Sequence, residues 1–227
     1  MPRTNSMIVS VAALLVAGPA FAADARQQFE EAATADGLER VKVKGVDHAY
    51  RAPGTSLAAY RQVKVEPVEV AFRKDFDPMR PASNLRLTTK ELDDLRQRTG
   101  VLVREEFNRE LQRGGYQVTD AGGPDVLEVR ARIADLYVNA PDTAEAGRSY
   151  SFTMSAGEMT LVLELRDSET GQVLARAFDR REGRETGLLN WTTSVSNDAD
   201  ARDVARVWAR ILRQRLDASR AAAPDSR

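Results

Sequence analysis

YRQVKVEPVEVAF, residues Tyr60–Phe72, reads as a β-strand with a proline in its middle. Val63 and Val65 sit at odd positions, whereas Val68, Val70 and Phe72 sit at even ones. The apolar phase therefore changes at Pro67, a residue that cannot donate to a sheet ladder. A register slip of one residue would turn half of the apolar set toward water. A β-bulge absorbs one extra residue and keeps both halves on the core side, and proline and glycine are tolerated there.

The same slip recurs downstream. In Val126–Val138, Leu127, Val129, Ala131 and Ile133 alternate with charged residues, and the pattern shifts near Ala134-Asp135 so that Leu136 and Val138 continue it. In Ser149–Arg166, Tyr150, Phe152 and Met154 share one phase and Met159, Leu161, Leu163 and Leu165 the other, with Gly157 between. Three slips predict a bent, strongly twisted sheet with bulges in several strands; the alternative is a set of shorter strands separated by kinks. Asp167–Gln172 has hairpin-turn composition, and Val173–Arg180 is the return strand, so these segments predict an antiparallel meander.

Two helices flank these strands. Thr88 and Glu91 have capping-box spacing, followed by an apolar stripe of Leu92, Leu95, Leu102, Val103, Phe107 and Leu111 that is interrupted near Thr99-Gly100. Gly114-Gly115 ends it. The second helix, capped by Asp198 or Asp200, carries Val204, Val207, Trp208, Ile211, Leu212 and Leu216 on one face, which places Trp208 in the core. Tyr116–Val118 is a short strand, and Val41, Val43 and Val46 suggest another extended piece. The expected fold is α+β, a single domain with a bent, mostly antiparallel sheet of four to five strands and two helices packed on one face.

Residues 1–22 have the order of an export signal: Arg3, an apolar run over Met7–Ala17, then Gly18-Pro19 and the small-residue site Ala20–Ala22. Cleavage between Ala22 and Ala23 leaves 205 of the 227 residues. The expected organisation is a signal peptide over 1–22, a mobile N-terminal arm over 23–40, one domain over 41–220 and a frayed tail over 221–227. The expected location is the bacterial periplasm, with no membrane span. The chain has no cysteine, so it has neither a disulfide framework nor the residue on which an acylated lipoprotein anchor is built. Formal net charge is −1, and lysine and arginine are spread along the chain, which argues against nucleic-acid binding.

The residue inventory excludes several chemistries. His48 is the sole histidine and lies in a polar stretch, so a Ser-His-Asp triad or a clustered zinc site has little to be built from. No glycine pair is followed by the Lys-Ser/Thr of a phosphate-binding loop, and no calcium-loop pattern occurs. No catalytic residue, metal or cofactor is expected. Two long connections, Asn139–Arg148 and Arg181–Asn197, leave from one edge of the expected meander. They would bring Asp142, Arg148, Arg180, Arg181 and Trp191 to one end of the domain, with the composition of an interaction surface. Alternatively, the arginines pair with Glu182 and Glu185, and Trp191 plugs the core.

The stretches AYRAPGTSLAAYRQVKVEPVEVAF, NAPDTAEAGRS, SAGEMTLVLELRDSETGQVLARAFDRREGR and VSNDADARDVARVWARILRQRLD, within residues 41–217, resemble a bacterial domain-of-unknown-function family of exported proteins, many of them lipoproteins. The resemblance implies an envelope location and a single α+β domain, and it carries over no catalytic residue. Here the lipid-modified cysteine of many relatives is missing. The reading that follows is a non-catalytic binding or accessory module of the cell envelope, with an envelope protein or a small ligand as partner. The alternatives are a carboxylate-dependent hydrolase acting on envelope material and a secreted structural or stress-related protein.

Overall fold

The computed structural model describes residues 22–73, 88–139, 155–182 and 194–222. The elements in chain order are α1 (Ala22–Ala35), β1 (Glu39–Val41), β2 (His48–Arg51), β3 (Gln62–Val65), β4 (Glu69–Phe72), α2 (Thr89–Arg113), β5 (Gln117–Val118), β6 (Val126–Asn139), β7 (Ser155–Asp167), β8 (Val173–Glu182) and α3 (Ser194–Ala221). Among the described residues, one eight-stranded sheet runs in the order β1-β2-β8-β7-β6-β3-β5, and β4 also pairs with β6. The α+β class stands. The sheet has more strands than the four to five expected, and it is mixed: β3 pairs in parallel with β5 and β6, as β4 does with β6. The additional strands are two to four residues long, too short for alternation to show in sequence. The long antiparallel strands β6, β7 and β8 form the expected meander.

Register explains the phase change at Pro67. Paired residues differ by 64 along β3 (Gln62 with Val126) and by 63 along β4 (Glu69 with Arg132), so one residue of 66–68 is extra. The segment is two strands joined by a one-residue break, with Glu66 N–H still donating to the Val129 carbonyl at 2.9 Å. Val63 and Val65 are fully buried, and Val68, Val70 and Phe72 pack against the same core. A second extra residue lies in β6, where the pairing with β7 shifts between Ala134 and Tyr137 and Asp135 takes φ 55°. Leu136 thereby returns to the core face beside Ile133. A third shift lies in β7, where Glu158 pairs with Tyr137 and Ala156 with Val138, leaving Gly157 extra. The half of that strand carrying Tyr150, Phe152 and Met154 lies outside the described residues.

Helices α2 and α3 cover one face of the sheet. The capping box of α2 is formed: Glu91 N–H donates to Thr88 Oγ1 at 3.3 Å, and Thr88 N–H donates to Glu91 Oε2 at 2.7 Å. Its apolar stripe buries Leu95, Leu102, Val103, Phe107 and Leu111. The gap in that stripe has a structural cause, because a Cβ at Gly100 would lie 2.5 Å from the Val68 carbonyl oxygen. Only glycine lets α2 approach the broken strand so closely. Between the helices, the buried Glu106 faces Arg202 and Arg206 at 3.5 Å, and Glu110 accepts from Arg213 at 3.0 Å. Helix α3 begins at Ser194, ahead of both expected caps.

The expectation of helices on one face, with a mobile arm over 23–40, is corrected by α1. This helix covers the opposite face of β2, β7 and β8, where Ala25, Phe29 and Ala33 are buried. The Phe29 ring lies 5.7 Å from Tyr50, edge-on, and 5.5 Å from Phe178. The stripe went unread because two of its three members are alanines, which carry little hydrophobic signal. A third helix also requires the sheet to be apolar on both faces near β8, as Phe178 and Val162 make it.

Candidate functional site

The site begins with small residues on the sheet floor. On β8, Ala175 and Ala177 alternate with Arg176, and across the ladder Ala175 faces Arg51 while Ala177 faces Ala49. Paired residues share a face, so Ala49, Ala175 and Ala177 all lie on the α3 side. Short side chains leave the floor low where α3 crosses it. The result is a groove with a cavity of about 320 Å³ between α3 and the β1–β2–β8–β7 half of the sheet. Leu161, Leu163 and Leu165 of β7 form one wall, and Trp208, Ile211 and Leu212 of α3 form the other. This volume is at the low end of the range of about 300–1,000 Å³ that small-molecule sites occupy.

Residues 42–47 roof the outer side. Their turn is closed by Val46 N–H on the Val43 carbonyl at 3.2 Å and has φ 83° at Gly45. A Cβ at Gly45 would lie 3.1 Å from Ile211 Cδ1, so the turn rests on the helix. Val41, Val43 and Val46 face the cavity, which accounts for the scattered valines of that segment.

One end of the groove is held shut by a polar cluster. Asp179 is 4 % exposed. Its Oδ2 accepts from Trp208 Nε1 and from Arg181 Nε, both at 2.7 Å, and its Oδ1 accepts from Asp47 N–H at 3.2 Å. Arg181 continues to the Gly45 carbonyl at 2.8 Å, and Arg180 N–H donates to Asp47 Oδ2 at 3.0 Å. One buried carboxylate thus joins α3, β8 and the roof. A buried carboxylate is tolerated only when its lone pairs are satisfied, and here three donors do so. Trp208 is core as expected, and its indole N–H adds a role that helical periodicity could not show.

The groove-facing cations are Lys42, Arg51 and Arg215. None of their side chains makes a hydrogen bond or ion pair with another described residue. Arg176 also borders the cavity, but its guanidinium is taken by Asp36 and Glu164. His48 points toward α1, with Nδ1 3.1 Å from Arg40 Nη2. Among the described residues, no group of three or more His, Cys, Asp or Glu is arranged to hold a metal ion.

Of the five residues named from sequence as an interaction surface, Asp142, Arg148 and Trp191 lie outside the described residues. Arg180 and Arg181 are described, and both are tied to the Asp47–Asp179 cluster. Sequence reasoning missed the groove itself. Its one sequence signal was a core-facing phase of β8 filled by alanine in place of leucine or valine.

Residues 29–212 match the family model described as a protein of unknown function, DUF3313. The chain belongs to the DUF3313 family. That membership agrees with the resemblance read from residues 41–217. No curated protein matches this DUF3313 chain. Among solved structures it is similar to the PelC dodecamer from Paraburkholderia phytofirmans, at 13% identity over 73% of this chain and 96% of that one, with a TM-score of 0.37. It is also similar to a minor lipoprotein from Acinetobacter baumannii, at 12% identity over 68% and 94% of the two chains and a TM-score of 0.32. Among the described residues of the DUF3313 chain, no helix is long and apolar enough to cross a membrane.

Proposed function

We propose that this DUF3313 protein is a non-catalytic binding module of the bacterial envelope that takes an apolar ligand into the groove under α3. The observation that carries the reading is the 320 Å³ cavity floored by Ala49, Ala175 and Ala177. A fold optimised for stability alone would fill that floor, since interiors pack to crystal-like density and unfilled volume costs stability. The envelope location rests on the signal-like order of residues 1–22. A hydrolase reading would need two convergent carboxylates in the cleft. Among the described residues, Asp179 is the one acid lining this cavity, and it is committed to Trp208, Arg181 and Asp47. Of the interaction surface expected from sequence, Asp142, Arg148, Arg180, Arg181 and Trp191, this proposal uses Arg180 and Arg181, which are bonded into the Asp47–Asp179 cluster.

The test uses N-phenyl-1-naphthylamine, a neutral apolar dye that fluoresces when taken out of water. Wild-type protein should enhance its emission saturably. Ala177→Leu and Ala175→Leu, which fill the floor, should abolish the enhancement while the far-ultraviolet circular dichroism and melting temperature are kept. Equal enhancement by the filled variants would refute the reading.

A further inference from the structure

The groove is polarised along its length. At one end stand Asp179 and Trp208. Ala175, with Arg51 opposite it, lies four residues from Asp179 along β8, about 13 Å at 3.3 Å per residue. Arg215 lies seven residues beyond Trp208 on α3, about 10 Å at 1.5 Å per residue. Both guanidinium groups therefore belong to the end away from the buried carboxylate. Both are exposed, and neither is engaged by another described residue. Glu39 faces Arg51 across the β1–β2 ladder without forming an ion pair with it. Lys42 adds positive charge along the outer rim. The stretch between the two ends is lined mainly by leucine, isoleucine, valine and alanine, and the Arg176 guanidinium at its border is taken by Asp36 and Glu164.

We infer that the groove binds a single-chain amphiphile of the fatty-acid type, its alkyl chain running toward Trp208 and its carboxylate held between Arg51 and Arg215. The inference rests on the groove being a ligand site, as proposed above, and adds the ligand's class and direction. Three features select it. The charges are complementary: an anion at the Asp179 end would meet a buried carboxylate, whereas at the other end it meets two unengaged guanidinium groups. Arginine presents paired N–H donors that match a carboxylate in bidentate geometry. The cavity of about 320 Å³ has room for one chain and a small head group, not for a two-chain lipid.

The experiment displaces bound N-phenyl-1-naphthylamine with dodecanoate and with dodecanol, which share a chain and differ in the head. Dodecanoate should displace the dye at a concentration at least tenfold lower than dodecanol, and the advantage should shrink as salt rises. In Arg51→Gln/Arg215→Gln, which should still take up the dye and keep its fold by circular dichroism, the two competitors should become equal. Equal displacement by the two competitors in wild type would overturn the carboxylate assignment while leaving the apolar site intact. A retained preference in the double variant would overturn the assignment to these two arginines. Dodecyl phosphate displacing the dye more tightly than dodecanoate would overturn the carboxylate head. A dimer in sedimentation that excludes the dye would show that a second copy covers the groove, against the inference. If wild type takes up no dye as a monomer, the groove reading itself fails, and this inference with it.

Discussion

Replacing Asp179 with alanine tests the clamp that closes the groove. The substitution removes the acceptor shared by Trp208 Nε1, Arg181 Nε and Asp47 N–H. Each hydrogen bond to a charged group contributes about 1.5–3 kcal/mol. Their simple sum overstates the loss, because the variant also no longer buries a carboxylate. Breaking a buried charged pair by deleting one partner costs about 3–5 kcal/mol, and that is the expected loss. For a chain of this size about 1 kcal/mol moves the melting temperature by about 2–4 °C, so the melting temperature should fall by about 6–20 °C. Urea unfolding followed by circular dichroism gives the number directly, with the midpoint lowered and the slope unchanged. Trp208→Phe should cost less, because Arg181 and Asp47 still satisfy the carboxylate. In a double-mutant cycle, Trp208→Phe on the Asp179→Ala background should cost less than in wild type by at least about 0.5 kcal/mol, the scale of coupling between contacting residues. A loss below about 1 kcal/mol for Asp179→Ala, or additive effects in the cycle, would show that the cluster does not hold α3 to the roof.

Gly100→Ala should destabilise the protein even though alanine is the better helix former by about 1 kcal/mol, because the new Cβ would meet the Val68 carbonyl at 2.5 Å; overpacking costs about 1–3 kcal/mol, and urea midpoints decide the sign. Pro67→Val, at an exposed position outside any ladder, should lose only the rigidity proline gives the unfolded chain, about 0.4–1 kcal/mol, and a larger loss by the same assay would mean that the break itself depends on proline. The Asp167 carboxyl is held below its ordinary value of 3.8, first by the Thr170 N–H and then by the Tyr60 hydroxyl. Its stabilising contribution is therefore present above pH 4 and lost as pH falls through the lowered value. Asp167→Asn should accordingly be less stable than wild type at neutral pH, with a deficit that shrinks on acidification below pH 4; a deficit independent of pH in thermal melts would contradict this.

The elements legible in sequence were those whose periodicity is long and chemically strong. The meander of β6, β7 and β8 and the capped helix α2 follow from alternation, turn composition and a capping box, all local signals. The three phase slips could be read because each half of a slipped strand kept its own alternation; pairing then located the extra residues at 66–68, beside Asp135 and at Gly157. What escaped depends on partners far away in the chain. Strands β1 and β2 have a few residues each and become strands by docking, β2 on β8 and β1 on β2. The parallel pairing of β3 and β4 with β6 follows from the passage through α2, a property of topology that alternation does not encode. Helix α1 is recognisable only once Tyr50 and Phe178 supply a surface on which Phe29 can rest.

The candidate site was illegible for a related reason: it is made of what the side chains leave empty. A hydrophobic pattern reports which positions face inward, and Ala175 and Ala177 face inward on schedule. It does not report how closely α3 crosses that floor, and so cannot show that two alanines leave a void instead of a close contact. The engagement of Asp179 is equally invisible, since its partners at positions 47, 181 and 208 come from a loop, a strand and a helix. One of the arginines named from sequence for an interaction surface, Arg181, is part of that clamp, bonded to Asp179 and to the Gly45 carbonyl. It therefore serves the site by fixing the roof that bounds the groove. An Arg181→Ala variant should loosen the roof and weaken dye uptake together with stability. Loss of Arg51 and Arg215 should change ligand preference and leave stability alone. That separation distinguishes residues that build the groove from residues that would read its occupant.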